Sequence, residues 1–117
     1  SLGVDPNLSP LSTVPVVEKL LARNQLTVKD ITAWEFNEAF AVIDVLATKK
    51  LGIPKERYNI FGGALAYGHP YGASGGIITL HLLKALSKLA PAQENIYGIC
   101  SIAAAGGIGT ALLIKKV

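Results

Sequence analysis

The chain has 117 residues, half of them hydrophobic, which is the length and composition of one domain with enough apolar side chain to form a core. Its net charge is +3 and its Lys and Arg residues are scattered, so no basic stripe indicates nucleic acid as a partner. The single cysteine excludes an internal disulfide and a cysteine-rich metal site. Because no leader pattern and no clear bilayer-spanning stretch is present, we expect no membrane partner and a cytoplasmic location.

The first half of the chain predicts two helices on either side of one strand. Residues 1–13 are rich in Pro, Ser and Asn and predict an extended lead-in. Apolar residues recur at helical spacing over residues 14–23, which predicts the first helix. Residues 31–36 are short and rich in β-forming side chains, so they predict a strand. Asn37 then suits the N-cap of a second helix over residues 38–50.

The second half predicts one long helix and a closing pair of strands. A short strand over residues 58–61 leads into a glycine-rich loop, and residues 74–89 carry the wide apolar face of a helix packed on a sheet. Residues 96–103 are almost all apolar, as in a strand buried on both faces. A turn at 104–107 joins them to a last strand over residues 108–115. This order predicts an α/β domain with a layered, mixed sheet whose last two strands are antiparallel.

The glycine-rich loop at residues 62–76 contains six glycines, one proline and one of only two histidines in the chain. Glycines at this density let the backbone approach a ligand or another backbone closely, and Pro70 restricts the conformation of His69 before it. A histidine held on such a loop suits proton transfer near neutral pH. A glycine-rich turn with a surface histidine is the competing interpretation on composition alone.

Three segments with polar or glycine residues each follow a predicted strand, at residues 37–41, 68–70 and 103–109. Taken singly, the first can be a helix cap with Glu38 as a solvated first-turn residue, and the last can be a hairpin connection. Ligands bind at strand ends in open α/β sheets. The three segments together therefore predict one ligand site.

With these motifs the chain resembles the C-terminal domain of thiolases, close to the acetyl-CoA acetyltransferase type, over all 117 residues. The motifs are Gly-Val-Asp-Pro at residues 3–6, Asn-Glu-Ala-Phe-Ala at 37–41, Gly-His-Pro-Tyr-Gly-Ala-Ser-Gly at 68–75 and the glycine hairpin at 106–109. The resemblance implies a homologous N-terminal half, absent from this chain, that carries the nucleophilic cysteine. It also implies CoA thioesters such as acetyl-CoA and acetoacetyl-CoA as substrates, no tightly bound cofactor, and a homodimer or homotetramer. The low share of charged residues, 16%, agrees with surfaces that a partner covers.

The resemblance implies a role for four residues of this chain. His69 deprotonates the cysteine of the N-terminal half and helps to form an oxyanion hole for the thioester oxygen, and Asn37 holds the water that supplies the other donor. Phe40 and Ala39 line the slot for the pantetheine end of CoA, although ordinary core packing explains Phe40 equally well. Because the nucleophile is absent, we expect the isolated chain to be inactive in Claisen condensation and thiolysis.

The third motif departs from the family pattern. Thiolases carry Cys-x-Gly before the last glycine turn, and these two positions are Ala103 and Ala105 here. The cysteine is the base that removes the α-proton of the second acetyl-CoA. The backbone N–H at the Gly position serves a second oxyanion hole, which alanine supplies only if its backbone angles suit a Cβ. Cys100 lies three residues earlier, on the opposite face of an extended strand, so we predict that it is structural.

Three hypotheses for the function compete. The leading one is the catalytic C-terminal domain of an acetyl-CoA C-acetyltransferase. The alternative is a non-catalytic thiolase-like module for acyl-CoA binding or oligomerisation, which Ala103 favours and the intact Asn37 and His69 disfavour. A ketoacyl synthase also has a glycine-flanked histidine, but the Asn-Glu-Ala-Phe and Gly-His-Pro motifs fit thiolases better.

Overall fold

A four-stranded mixed sheet forms the centre of the structure, a computed structural model that describes residues 1–117. Its strands are Leu2–Gly3 (β1), Ile31–Phe36 (β2), Ile96–Ala104 (β3) and Ile108–Lys116 (β4), and they lie in the order β1-β4-β3-β2. β2 and β3 are parallel, whereas β4 is antiparallel to both β3 and β1. The predicted mixed α/β fold with an antiparallel last pair of strands is therefore confirmed.

Four α-helices surround the sheet: Thr13–Arg23 (α1), Val42–Lys50 (α2), Ala64–Tyr67 (α3) and Ser74–Leu89 (α4). Helices α1 and α2 cover one face of the sheet, and α4 covers the other. Short 3-10 helices lie at Pro6–Ser12, Val28–Asp30 and Lys55–Arg57. The three predicted helices are present, whereas α3, inside the glycine-rich loop, has no counterpart among the predicted elements.

Alternate residues of the strands face the two helical layers, as the pleat of a strand requires. Trp34 and Phe36 of β2 and Ile99 of β3 pack in the core with α1 and α2. Ala33 and Cys100 pack with α4 on the other face. The sheet thus has a hydrophobic cluster on each face, one beneath α1 and α2 and one beneath α4.

The predicted extended lead-in over residues 1–13 is wrong beyond β1, because Pro6–Ser12 forms a 3-10 helix. The Asp5 carboxylate accepts a hydrogen bond from the backbone N–H of Asn7 at 2.9 Å, and this local bond starts the turn. Proline at the first helical position needs no partner for an N–H. The 3-10 helix packs against β3 and β4 close to their hairpin.

The predicted strand over residues 58–61 is also wrong. Tyr58 forms only a single bridge to Trp34, and Asn59 has a left-handed conformation with φ of 45°, which interrupts an extended backbone. The Asn59 side chain instead pairs with β2 as a neighbouring strand would. Its Oδ1 accepts from the N–H of Phe36 at 2.8 Å, and its Nδ2 donates to the Phe36 carbonyl at 3.1 Å.

Candidate active site

Asn37 lies at the end of β2 and does not cap a helix, contrary to the prediction. Helix α2 begins at Val42 and not at residue 38. The backbone N–H of Asn37 bonds to the Ser101 carbonyl of β3 at 2.9 Å, so the pairing continues one residue beyond β2. The side chain is 1% exposed, and its Nδ2 lies 3.2 Å from Nε2 of His69. The sheet thus fixes this amide against the histidine.

His69 occupies the loop between α3 and α4, which follows a helix and not the predicted strand. Both of its ring nitrogens have a partner. Nδ1 lies 2.6 Å from Oγ of Ser74, the first residue of α4, and Nε2 faces Asn37. The ring of Tyr71 packs edge-on against the imidazole with the ring centroids 4.8 Å apart. Ser74 and Tyr71 therefore belong to the site, although the Gly-His-Pro-Tyr-Gly-Ala-Ser-Gly motif that contains them gave neither residue a role.

Glu38 braces the site and is not the solvated helix residue that its position predicted. Its carboxylate accepts from Nδ2 of Asn59 at 3.0 Å and from the backbone N–H of Leu65 at 3.1 Å. It also lies against Gly63, where any Cβ would collide with the carboxylate. These contacts join the end of β2 to the loop that carries His69. Asn59 is a further residue that the motifs did not reveal, because its partners are distant in sequence.

A cavity of about 940 Å³ opens beside His69. Five of the six predicted site residues line it, namely Ala39, Phe40, His69, Ala103 and Ala105. The sixth, Asn37, reaches the site through its contact with His69. Phe40 is 63% exposed, so its ring is available to a ligand and the core-packing interpretation of Phe40 is wrong.

The wall of the cavity is mostly apolar and has few polar side chains. Besides His69 these are Tyr71 and Ser9. The hydroxyl of Ser9 is already engaged, since it donates to the Pro6 carbonyl at 2.7 Å and accepts from the N–H of Gly107 at 2.9 Å. No carboxylate, thiol or amine side chain lines the cavity. The imidazole of His69 is therefore the one basic side chain in the cavity wall.

Ala103 and Ala105 line the cavity where the hairpin of β3 and β4 turns. Ala103 pairs with Gly109 across the antiparallel ladder. The left-handed positions of the turn are Gly106 and Gly107, with φ of 82° and 79°, and Ala105 is not among the residues with positive φ. Ala105 therefore accommodates its Cβ without backbone strain and keeps its N–H.

Cys100 does not reach the cavity. It packs in the α4 cluster, with Sγ 3.8 Å from Oγ1 of Thr79. Ala103 packs toward the opposite cluster, beneath α1 and α2. Burial raises the pKa of the Cys100 thiol above its usual value, which disfavours the reactive thiolate. The structure thus places Cys100 as a core residue, as strand alternation predicted, and not as a replacement for the cysteine absent at position 103.

A second polar group lies behind the site, between β2 and α4. Glu35 is fully buried, and neither of its carboxylate oxygens has a hydrogen-bond partner. Burial, and secondly the charge of Glu38, raises the pKa of Glu35 to about 8. Nδ1 of His81 lies 3.9 Å from Oε2 of Glu35, which is too far for a hydrogen bond. This pair does not line the cavity.

No group of three or more His, Cys, Asp and Glu side chains is placed to hold a metal ion. None of the helices combines the length and the apolar character needed to cross a bilayer.

The fold and the site together define an α/β domain of the thiolase type, in which a loop histidine meets a strand-end asparagine beside an apolar cavity. The family model described as "Thiolase, C-terminal domain" matches residues 1–116. The chain therefore belongs to the thiolase family as a C-terminal domain.

Curated relatives include two proteins that are provisionally named acetyl-CoA C-acetyltransferases. YhfS of Bacillus subtilis (strain 168) is 41% identical over 113 residues, which are 97% of this chain and 30% of that protein. VraB of Staphylococcus aureus (strain MRSA252) is 41% identical over 116 residues, which are 99% of this chain and 29% of that protein. The chain thus spans about 30% of the length of these relatives.

Solved structures of thiolases share the fold. The Acat5 thiolase from Ascaris suum in complex with coenzyme A has a TM-score of 0.89 and 37% identity, over 98% of this chain and 28% of that one. The acetyl-CoA acetyltransferase of Bacillus anthracis has a TM-score of 0.89 and 34% identity, over 99% of this chain and 28% of that one. Human mitochondrial 3-ketoacyl-CoA thiolase in complex with CoA has the same TM-score, identity and coverage as the Bacillus anthracis protein.

Proposed function

We propose that the chain is the C-terminal catalytic domain of an acetyl-CoA C-acetyltransferase and acts with an N-terminal thiolase half that carries the nucleophilic cysteine. The observation that carries the proposal is the pair of His69 and Asn37, whose side-chain nitrogens lie 3.2 Å apart beside an apolar cavity. The names of the relatives and their greater length support it. So does the coenzyme A bound in two of the related structures. The proposed substrates are acetyl-CoA and acetoacetyl-CoA.

In the acyl-transfer step, His69 takes the proton of the cysteine thiol, and the thiolate attacks the thioester carbonyl of an acyl-CoA. The carbonyl oxygen gains negative charge, which His69 and a water held by Asn37 stabilise. One fixed donor of this kind contributes about 3 kcal/mol. As the bond from the carbonyl carbon to the CoA sulfur breaks, the sulfur takes the proton from His69 and the acyl group stays on the cysteine. Phe40 and Ala39 line the slot for the pantetheine end of CoA.

The carbon–carbon step is where this chain differs from its family. Condensation removes an α-proton of the second acetyl-CoA, and Ala103 has no group that accepts it. The cavity wall holds no carboxylate or thiol that replaces the base, while the N–H of Ala105 stays available to an enolate oxygen. Acyl exchange between CoA thioesters therefore persists, and condensation and thiolysis are slowed about a hundred- to ten-thousand-fold.

The experiment is a pair of assays on the complete protein, one for exchange of labelled CoA into acetyl-CoA and one for thiolysis of acetoacetyl-CoA. Exchange should be measurable and lost in His69→Ala, thiolysis should be slow, and the isolated 117-residue chain should show neither. Calorimetric binding of CoA to the complete protein without any exchange would contradict the proposal and favour the non-catalytic module.

The proposal includes a homodimer or homotetramer in the cytoplasm, with no tightly bound cofactor and no nucleic-acid or membrane partner. Leu80 and Leu83 on α4 are 60% and 45% exposed, and the N-terminal half or a second copy would cover such side chains. The low share of charged residues, 16%, agrees with a covered surface. Light scattering of the complete protein measures the oligomeric state, and a monomer would contradict this part.

A further inference from the structure

Ser74 provides the contact to Nδ1 of His69, with its Oγ 2.6 Å away. It is the first residue of α4 and is 3% exposed, so little solvent competes for this contact. Its Oγ also lies 3.0 Å from the carbonyl oxygen of Pro70 and donates to it. The hydroxyl is therefore fixed between an acceptor on one side and the histidine on the other.

The proton positions in this group follow from its donors and acceptors. A serine hydroxyl has one proton, and a carbonyl oxygen only accepts. The Pro70 carbonyl also accepts the backbone N–H groups of Ala73 and Ser74, both at 2.9 Å, so the direction of the bond between Ser74 and His69 is decided at the other side of the ring. At the other side of the ring, Nδ2 of Asn37 is a donor 3.2 Å from Nε2, which requires a lone pair on Nε2. With the lone pair on Nε2, the neutral ring has its proton on Nδ1, which donates to Ser74 Oγ, and the hydroxyl proton of Ser74 points to the Pro70 carbonyl.

We propose that Ser74 is a positioning residue that holds His69 in the Nδ1–H tautomer and so keeps Nε2, the nitrogen that faces Asn37, as the basic atom. The inference rests on the proposed function for the identity of the proton donor, which is a thiol of the N-terminal half. The tautomer itself does not depend on that function.

The same bond serves His69 after it has taken a proton. When Nε2 is protonated, Nδ1–H still donates to Ser74, so the imidazolium keeps the orientation of the neutral ring. Without an acceptor at Nδ1, the proton occupies Nε2 in part of the molecules. That fraction cannot accept a proton at Nε2, and in the remaining molecules the ring is no longer held in one orientation, so the rate of acyl transfer falls by more than the tautomer fraction alone.

The test uses the complete protein labelled with ¹⁵N-histidine, because the chemical shifts of the two ring nitrogens report which of them carries the proton. His69→Gln identifies the His69 signals. Ser74→Ala should show a substantial Nε2–H fraction and a kcat for acetyl exchange lowered about ten- to a hundredfold, by analogy with the loss on removing the partner that orients a metal-bound histidine, with KM little changed. Ser74→Thr keeps the hydroxyl and should keep the Nδ1–H tautomer and most of the rate.

Ser87→Ala is the matched control, because Ser87 lies on the same helix and its Oγ bonds only to the Leu83 carbonyl one turn earlier. We expect it to change neither the tautomer nor the exchange rate.

An unchanged Nδ1–H tautomer in Ser74→Ala overturns the proposal even if the rate falls, because a rate loss alone is a structural effect. If the wild-type protein shows no acetyl exchange, the proposed function fails, and the ¹⁵N comparison still decides the role of Ser74. If Ser74→Ala does not fold, Ser74→Cys preserves the shape with a weaker acceptor and should show the same change of tautomer.

Discussion

The amide nitrogen of Asn37 lies 3.2 Å from Nε2 of His69, although 32 residues separate the two in the chain. Asn37 is fixed by the end of β2. His69 is carried by a loop that Glu38 fastens to that end through Asn59 and the N–H of Leu65. The distance between Asn37 and His69 is therefore set by the sheet and by the hydrogen bonds of Glu38. Substitutions can test each of these contributions.

Replacement of Asn37 by alanine should lower the acetyl-exchange rate of the complete protein about a hundred- to a thousandfold, the usual loss for one oxyanion donor. The backbone bond of Asn37 to Ser101 does not involve the side chain and should persist. The measurement is kcat with labelled CoA. Asn24→Ala is the control, because this exposed side chain bonds only to the Leu20 carbonyl at the end of α1. Equal rates for Asn37→Ala and wild type would remove Asn37 from the oxyanion hole.

Ala103→Cys should place an ionisable thiol in the cavity wall, at the position where the family has its base. We expect thiolysis of acetoacetyl-CoA to rise about a hundredfold or more, while acetyl exchange changes little, since the thiol acts only on the α-proton. Ala103→Ser is the control, because it has a similar size without a readily ionised group. Thiolysis that stays slow in the cysteine variant would show that Ala103 is not what limits the carbon–carbon step.

Gly63→Ala should destabilise the fold by about 1–3 kcal/mol, because its Cβ would displace the Glu38 carboxylate from its hydrogen bonds to Asn59 and to the N–H of Leu65. The φ of Gly63 is −131°, which any residue adopts, so the substitution tests the collision alone. Gly76→Ala in α4 is the control, since a Cβ there meets nothing within 4 Å and should stabilise the helix by about 0.5–1 kcal/mol. Urea unfolding of the complete protein measures the free energy of unfolding of the two variants. Equal values for Gly63→Ala and Gly76→Ala would argue against a structural role of the Glu38 carboxylate.

The raised pKa of Glu35 predicts that the free energy of unfolding depends on pH. Its pKa is raised from 4.5 to about 8 in the folded protein, whereas the unfolded chain ionises near 4.5. As the pH rises, the unfolded chain loses this proton first. The contribution of Glu35 to the free energy of unfolding is therefore fully present below pH 4.5 and falls as the pH rises toward 8. The fall is at most about 1.4 kcal/mol per pH unit.

Glu35→Gln removes this titration and should be more stable than wild type at pH 8, with a smaller difference at pH 5. Glu56→Gln is the control, because Glu56 is exposed and its removal should leave the pH profile unchanged. Urea unfolding between pH 5 and 8 gives the profiles. Parallel profiles for Glu35→Gln and wild type would mean that Glu35 does not titrate in this range.

Elements with a regular apolar pattern are predictable from the sequence, whereas polar segments whose hydrogen-bond partners lie far along the chain are not. The sequence predicts helix α4 over residues 74–89 and the helix spans Ser74–Leu89, because its apolar positions recur along its whole length. Residues after β2 do not form the expected helix turn, since Asn37 bonds to Ser101 of another strand. No local pattern encodes that partner.

The sequence by itself determined the chemical groups of the site and the family: a histidine on a Gly-His-Pro loop, an asparagine in Asn-Glu-Ala-Phe, and an alanine at position 103. Only the tertiary structure decided their arrangement, in which Nε2 of His69 faces Asn37, Ser74 holds Nδ1, and Glu38 binds the loop instead of water. The physical reason is that a side chain's chemistry is covalent and local. Hydrogen-bond direction, by contrast, depends on distances between remote segments, which the packing of the sheet against its helices sets.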